Sequence, residues 1–315
     1  MDFSCEQPIG AAPTYLIMRR VVSSDFPLTG VSPAPGRPPS LEIRNSGSPR
    51  LASGVPSADT QRFLRETCEA GVRYVAGGIG EFVIHSGGTR ITYSLAPGAP
   101  AGDVQHILTG PALVMALQLQ GEFFLHAGAI EHAGTMFALS APHGFGKSTL
   151  TASFFESGCK VHSDDVVPIR FRDGQAFGGQ GQPWIKLWDN VLNEFGKDPQ
   201  AYDEVLDGLG KRIVPGLSGE GELPLRCVYL LAPHMSPERG IEFHRLTALE
   251  GALSLMRNVY SPEIIEGELA RKTLDFATRI AESVAVRAIS YYRSFENLPA
   301  IRQAILSDFE EVSRG

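Results

Sequence analysis

The densest chemical signal in the chain is the run Ala141-Pro142-His143-Gly144-Phe145-Gly146-Lys147-Ser148-Thr149, where two glycines, a lysine and two hydroxyl residues crowd together. Glycines at 144 and 146 let the backbone bend so that its N–H groups converge on one point, which suits phosphate oxygens. A helix starting at the end of the run would add the positive end of its dipole. Lys147 can then reach the β- and γ-phosphates of a nucleotide, and the Ser148 hydroxyl can ligate Mg2+. The run matches the phosphate-loop pattern G-x-x-x-x-G-K-[ST] except at its first position, where Ala141 stands. The nucleotide-binding set is therefore Gly144, Phe145, Gly146, Lys147, Ser148 and Thr149, with ATP and Mg2+ as the expected ligands. Glycine turns also precede helices that bind nothing, but Gly-Lys-Ser-Thr between an apolar strand and an apolar helix is much rarer.

Two further candidates flank the run. Asp164 and Asp165 follow the extended segment 159–162. Adjacent carboxylates at a strand end can divide the work, one holding Mg2+ and the other accepting a proton from an attacking hydroxyl. Taken alone the pair also fits a solvated turn; its place after the glycine loop favours the functional reading. His126, between Phe123-Phe124-Leu125 and Ala127-Gly128, ends an apolar strand. A lone histidine there is more often a hydrogen-bonded structural residue than a catalytic one. No histidine stands at metal-ligand spacing, and His143 reads as a variable loop residue.

These residues need a scaffold, and the apolar pattern supplies one. Segments 123–125, 127–130 and 135–139 read as buried strands leading into the loop, 150–157 as a helix with Gly158 at its end, and 160–162 as the next strand, together a nucleotide-binding βαβ unit. Segment 225–231 reads as another buried strand, and 247–260, 267–282 and 298–309 as helices. Residues 103–120 carry helical spacing with Asp103 as the expected N-cap, kinked or divided at Gly110-Pro111. Earlier, 81–85 and 89–95 flank Ser86-Gly87-Gly88 as a hairpin, 41–44 reads as a short extended piece, and 30–57 is dense in Pro, Gly and Ser. The expected organisation is an α/β catalytic domain over 101–315 preceded by a small, loop-rich β module over 1–100.

Composition narrows the partners. With 315 residues, 43% of them apolar and 20% charged, the chain can bury a sizeable core. A net charge of −7 supplies no broad basic field for nucleic acid or an anionic membrane. No apolar run approaches the roughly 20 residues that span a bilayer, and the first residues lack a signal-peptide layout, so a cytoplasmic location is expected. Cys5, Cys68, Cys159 and Cys227 are scattered and read as buried reduced thiols.

Taken together, His126-Ala127-Gly128, the glycine loop and Ser163-Asp164-Asp165-Val166-Val167, at these spacings, resemble the catalytic core of HPr kinase/phosphorylase. The resemblance is nearer still to the HPr-kinase-related proteins of bacterial peptide-modification clusters, lasso peptide kinases among them. Their C-terminal halves contain a segment like Pro183-Trp184-Ile185-Lys186-Leu187-Trp188. It covers residues 121–190, is looser beyond, and does not extend to the N-terminal hundred residues. It implies a P-loop, HPr-kinase-like fold and an ATP-dependent serine kinase acting on a peptide or small protein, such as the C-terminal serine of a lasso peptide precursor. Asp164 would be the general base, His126 would orient that aspartate, Ser148 and Asp165 would hold Mg2+, and Lys211 or Arg212 would neutralise the transferred phosphoryl group. A homo-oligomer is also implied. The glycine-rich signature that follows the aspartates in true HPr kinases is absent here, which argues against HPr as acceptor and against phosphorolysis. A small-molecule kinase and a non-catalytic nucleotide-binding regulator remain as alternatives.

Overall fold

Alternation of apolar and polar residues along short segments builds the first part of the chain as sheet. In the computed structural model, which describes residues 12–47, 63–182, 184–206, 208–217 and 219–314, this part contains eight strands. They are β1 (Thr14–Ile17), β2 (Arg20–Ser24), β3 (Ser32–Pro33), β4 (Leu41–Asn45), β5 (Phe63–Cys68), β6 (Gly71–Ala76), β7 (Gly80–His85) and β8 (Arg90–Leu95), ordered β3-β1-β2-β4-β8-β7-β6-β5. Leu41, Ile43, Phe82, Ile84, Ile91 and Tyr93 alternate inward to form its core. The expected hairpin joins β7 to β8, with Gly87 and Gly88 at φ 85° and 71°, a region open to glycine. Cys5, Pro183 and residues 48–57 of the Pro/Gly/Ser-dense stretch lie outside the described residues.

Gly110 divides the following helical segment into α1 (Ala101–Thr109) and α2 (Pro111–Leu119), since proline is tolerated only in a first turn. Asp103 is not the N-cap: α1 begins at Ala101 after Pro100, and Asp103 falls in the first turn, where its charge still complements the helix dipole. The chain divides into two compact units between Ala116 and Leu117, inside α2, whereas composition placed the boundary at 100/101.

The second unit is mixed α/β. Its strands are β9 (Phe123–Leu125), β10 (Ala127–His132), β11 (Thr135–Ser140), β12 (Val161–Ser163), β13 (Val167–Arg172), β14 (Gln175–Gly179), β15 (Trp184–Trp188), β16 (Lys211–Pro215), β17 (Glu222–His234), β18 (Glu242–Arg245) and β19 (Ala285–Tyr292). The helices are α3 (Lys147–Glu156), α4 (Asp189–Glu194), α5 (Ala248–Arg257), α6 (Gly267–Ser283) and α7 (Leu298–Arg314). β17 is the spine: its early residues pair with β14 and its later ones run parallel between β11 and β19. β10 separates β11 from β12, and among the described residues β15 pairs only with β16.

Both faces of this spine are buried, as a central parallel strand requires. Tyr229 and Leu231 join Phe137, Leu150, Phe154, Ile301 and Phe309 on the side of α3 and α7. Val228 joins Leu255, Ala277 and Ile280 on the side of α5 and α6. Gly128 lets α3 lie directly on β10, because an added Cβ would stand 2.2 Å from Thr151 Oγ1. Among the described residues no helix is long and apolar enough to cross a membrane. Cys68 is exposed, Cys159 half-buried and only Cys227 buried, so burial of the thiols holds for one of these three; all are free.

Candidate functional site

The glycine loop leaves the carboxyl end of β11, the end of a parallel strand where α/β sheets place their ligands. Gly144 and Gly146 adopt φ 84° and 86°, and Gly146 is the residue from which α3 starts. With Gly146 as the N-cap, the first helical bond runs from Leu150 N–H to Gly146 O, so the N–H groups of Lys147, Ser148 and Thr149 have no partner within the helix. The other end of α3 is closed by the expected glycine: Cys159 N–H bonds Phe154 O and Gly158 N–H bonds Phe155 O, with Gly158 at φ 86°. Phe145 and His143 are exposed, and Ser148 and Thr149 are half-buried.

Lys147 turns inward and is only 7% exposed. Its ammonium donates to the Asp164 carbonyl and stands 3.9 Å from one carboxylate oxygen of Asp164 and 3.9 Å from one of Asp165. The turn that carries these aspartates is built by its neighbours. Ser163 Oγ accepts from Val166 N–H at 3.2 Å and donates to Val166 O at 2.7 Å, and Ala127 N–H bonds Asp165 O at 3.2 Å. Gly181 makes room for it, since a Cβ there would meet Val166 O at 2.2 Å and Ser163 Oγ at 2.4 Å.

The two carboxylates differ sharply. Asp164 is 1% exposed; its Oδ2 accepts from Lys186 N–H at 3.1 Å, and its Oδ1 is buried without a hydrogen-bond partner. Asp165 is 23% exposed, and receives His126 Nε2 on Oδ1 at 3.0 Å and Lys186 Nζ on Oδ2 at 3.0 Å. Burial works to raise its pKa, but Lys186, His126 and Lys147 together hold it well below 3.8, so it stays ionised. His126 thus sits on Asp165 and not on Asp164, contrary to the role the resemblance implied. Its backbone is fixed on both sides: His126 N–H bonds Asn258 O at 2.8 Å, and Ser140 Oγ donates to His126 O at 2.9 Å.

The ribbon of β15 and β16 supplies the remaining cations. Ile185 and Leu187 point into the core, so Trp184, Lys186 and Trp188 share the opposite face. Lys211 pairs with Trp188 and lies on that face, its ammonium 5.5 Å from the Trp188 ring centre. Burial pushes the Lys211 pKa below 10.5, with the two aspartates opposing and Lys186 and Lys147 reinforcing the shift. Arg212 pairs with Leu187 and lies on the other face, where it is held by Asp189 at 2.8 Å and Glu204 at 3.2 Å. Of the two basic candidates, only Lys211 shares a ribbon face with Lys186 and feels the charge of the aspartates. Lys186 had no role assigned from sequence; the usable signal was a lysine between two tryptophans at period two.

No protein-family model matches the chain, and no curated protein does. Among solved structures it is similar to the Hpr(Ser) kinase/phosphatase from Coxiella burnetii, at 14% identity and a TM-score of 0.35, over 61% of this chain and 99% of that one. A likeness so distant leaves the chemistry to be argued from the residues themselves.

Among the described residues no three His, Cys, Asp or Glu side chains gather as a metal site. Mg2+ does not need such a cage: it is usually held by one or two carboxylates with substrate phosphates and water. The orphaned Asp164 Oδ1 has the chemistry of such a donor.

Proposed function

We propose that the protein is an ATP-dependent phosphotransferase that moves the γ-phosphoryl group to a hydroxyl, with a serine of a peptide or small protein as acceptor. The observation that carries this is the setting of two ammonium groups, of Lys147 and Lys186, against two carboxylates at the foot of a glycine loop, with a third, of Lys211, on the same ribbon face as Lys186. Cations outnumber anions there, and a polyphosphate would restore the balance.

Loop N–H groups and Lys147 bind and orient the phosphates. Asp164 and Ser148 would hold Mg2+, which when bound neutralises phosphate charge. Asp165, open enough to meet an acceptor and positioned by His126, takes the proton of the hydroxyl as its oxygen bonds the γ-phosphorus. The bond from that phosphorus to the bridging oxygen breaks, and ADP leaves with the electron pair. The resemblance gave the base to Asp164 and the metal to Asp165; exposure and hydrogen bonding favour the reverse. Lys186 and Lys211 face the transferred group and offset its charge. Trp188, 41% exposed beside Lys211, offers a flat surface for a chain longer than a metabolite. The choice of a serine near a peptide C-terminus, as in lasso peptide precursors, rests on motif resemblance.

The test is incubation with γ-labelled ATP, Mg2+, serine-terminated peptides, their alanine counterparts and a panel of metabolite alcohols. Label on the serine peptides alone supports the reading. Label on a metabolite alone replaces it with a small-molecule kinase, and nucleotide binding without transfer to any acceptor replaces it with a regulator.

A further inference from the structure

A second cation touches the glycine loop from outside the lysine cluster. Arg293 directly follows β19, which runs parallel to β17 as β17 does to β11, so it stands at the same carboxyl edge as the loop. Its backbone N–H is fixed on His234 O at 3.1 Å. Its Nη1 donates to Gly144 O at 2.8 Å, and its Nε lies 3.7 Å from where a Cβ of Gly146 would be. The guanidinium therefore lies along the loop from one left-handed glycine to the other.

Unlike Lys147, which is buried against Asp164 and Asp165, Arg293 is exposed. Among the described residues no carboxylate lies within ion-pair range of it, and its other side-chain donors have no partner. A planar cation with a fork of free donors, tethered by one bond to a glycine loop that ends in a helix N-terminus, has the chemistry of a phosphate ligand.

We infer that Arg293 is a ligand of the nucleotide's polyphosphate, binding ATP and ADP alike from the open side of the loop while Lys147 serves the reacting side. This rests on the phosphotransferase reading of the same loop. Bracing Gly144 alone would need a hydrogen-bond donor and no charge, and that difference is testable.

Affinities for ATP, ADP and adenosine are measured by calorimetry with Mg2+, for the wild type, Arg293→Ala, Arg293→Gln, Arg293→Lys and Lys147→Ala. Both Arg293→Ala and Arg293→Gln are expected to bind ATP and ADP about ten- to hundredfold more weakly, the range for a charged hydrogen bond. Arg293→Lys should recover part of the loss, and adenosine should bind all Arg293 variants as it binds wild type. Wild-type ATP affinity in Arg293→Gln would show that the residue only braces the loop, and equal loss of adenosine would show a structural collapse; either overturns the assignment. Wild-type ATP affinity lost in Lys147→Ala but kept in Arg293→Ala sinks Arg293 alone. A wild type that binds no ATP, or a Lys147→Ala that binds it normally, sinks the nucleotide reading together with this one.

Discussion

The glycine loop and the aspartate turn supply the two halves of one site, yet they are held in opposite ways. The loop is shaped by backbone: two left-handed glycines, exposed side chains around them and one outside tether, Arg293 to Gly144. The turn is shaped by side chains and closed in, with Ser163 bonding both polar groups of Val166 and Asp164 sealed under Lys186. An open backbone cradle suits a ligand that arrives and leaves. A buried charged turn suits groups that must keep one protonation state and one position through every turnover.

The sharpest way to separate the halves is to remove one function from each. Asp165→Asn keeps the shape but removes the proton acceptor, and transfer should fall about 10²- to 10⁴-fold, the span of general-base contributions, with ATP affinity retained. Lys147→Ala should instead weaken ATP binding about ten- to hundredfold as a charge-assisted contact is lost. Single-turnover rates and equilibrium binding, measured on both variants, check the pair. If Asp164→Asn abolishes transfer while Asp165→Asn leaves it intact, the base reverts to Asp164.

Next in size is a change that disturbs the turn without touching a charge. Gly181→Ala forces a methyl against Val166 O and Ser163 Oγ, and overpacking of this kind costs about 1–3 kcal/mol. Thermal or denaturant unfolding should show that loss. The cradle should be less demanding: His143→Ala, at an exposed loop position, should unfold like wild type.

The contrast also explains how much could be read in advance. Gly144, Gly146 and Lys147 were legible because backbone geometry leaves a mark in residue type, and the left-handed Gly158 that closes α3 was legible for the same reason. Strands β9, β10, β11 and β17 were legible from their apolar runs. The partners of the aspartates were not. Lys186 reaches Asp165 only because β15 puts it on the face opposite Ile185 and Leu187, and Arg293 meets Gly144 only because β19 lies two strands from β11. Such contacts depend on sheet order, and sheet order is a long-range property. The distribution of roles between Asp164 and Asp165 was open for a related reason: neighbours in sequence, they differ in burial by which side chains cover them.

Acidity gives a smaller effect of predictable sign. The folded-state pKa of Asp165 lies well below 3.8, because Lys186, His126 and Lys147 outweigh the burial that would raise it. A carboxylate depressed in the folded state contributes stability above its unfolded pKa, and that contribution fades as pH falls through the folded value. The stability difference between wild type and Asp165→Asn should therefore be constant near neutral pH and shrink below 3.8. Denaturant unfolding at stepped pH reads it directly, and a difference that grows in acid would mean that Asp165 is protonated in the folded protein.

The smallest expected effect tests the ribbon, where two neighbouring cations face opposite ways. Lys211 shares a face with Lys186 and feels both aspartates, whereas Arg212 is committed to Asp189 and Glu204. Lys211→Met should reduce transfer, because the phosphoryl group loses a facing charge. Arg212→Ala should leave the transfer rate unchanged within assay error, its loss confined to an ion pair at the ribbon's far side. A rate that falls in Arg212→Ala while Lys211→Met keeps the wild-type rate would mean that the face carrying Arg212, and not the one carrying Lys186, meets the substrate.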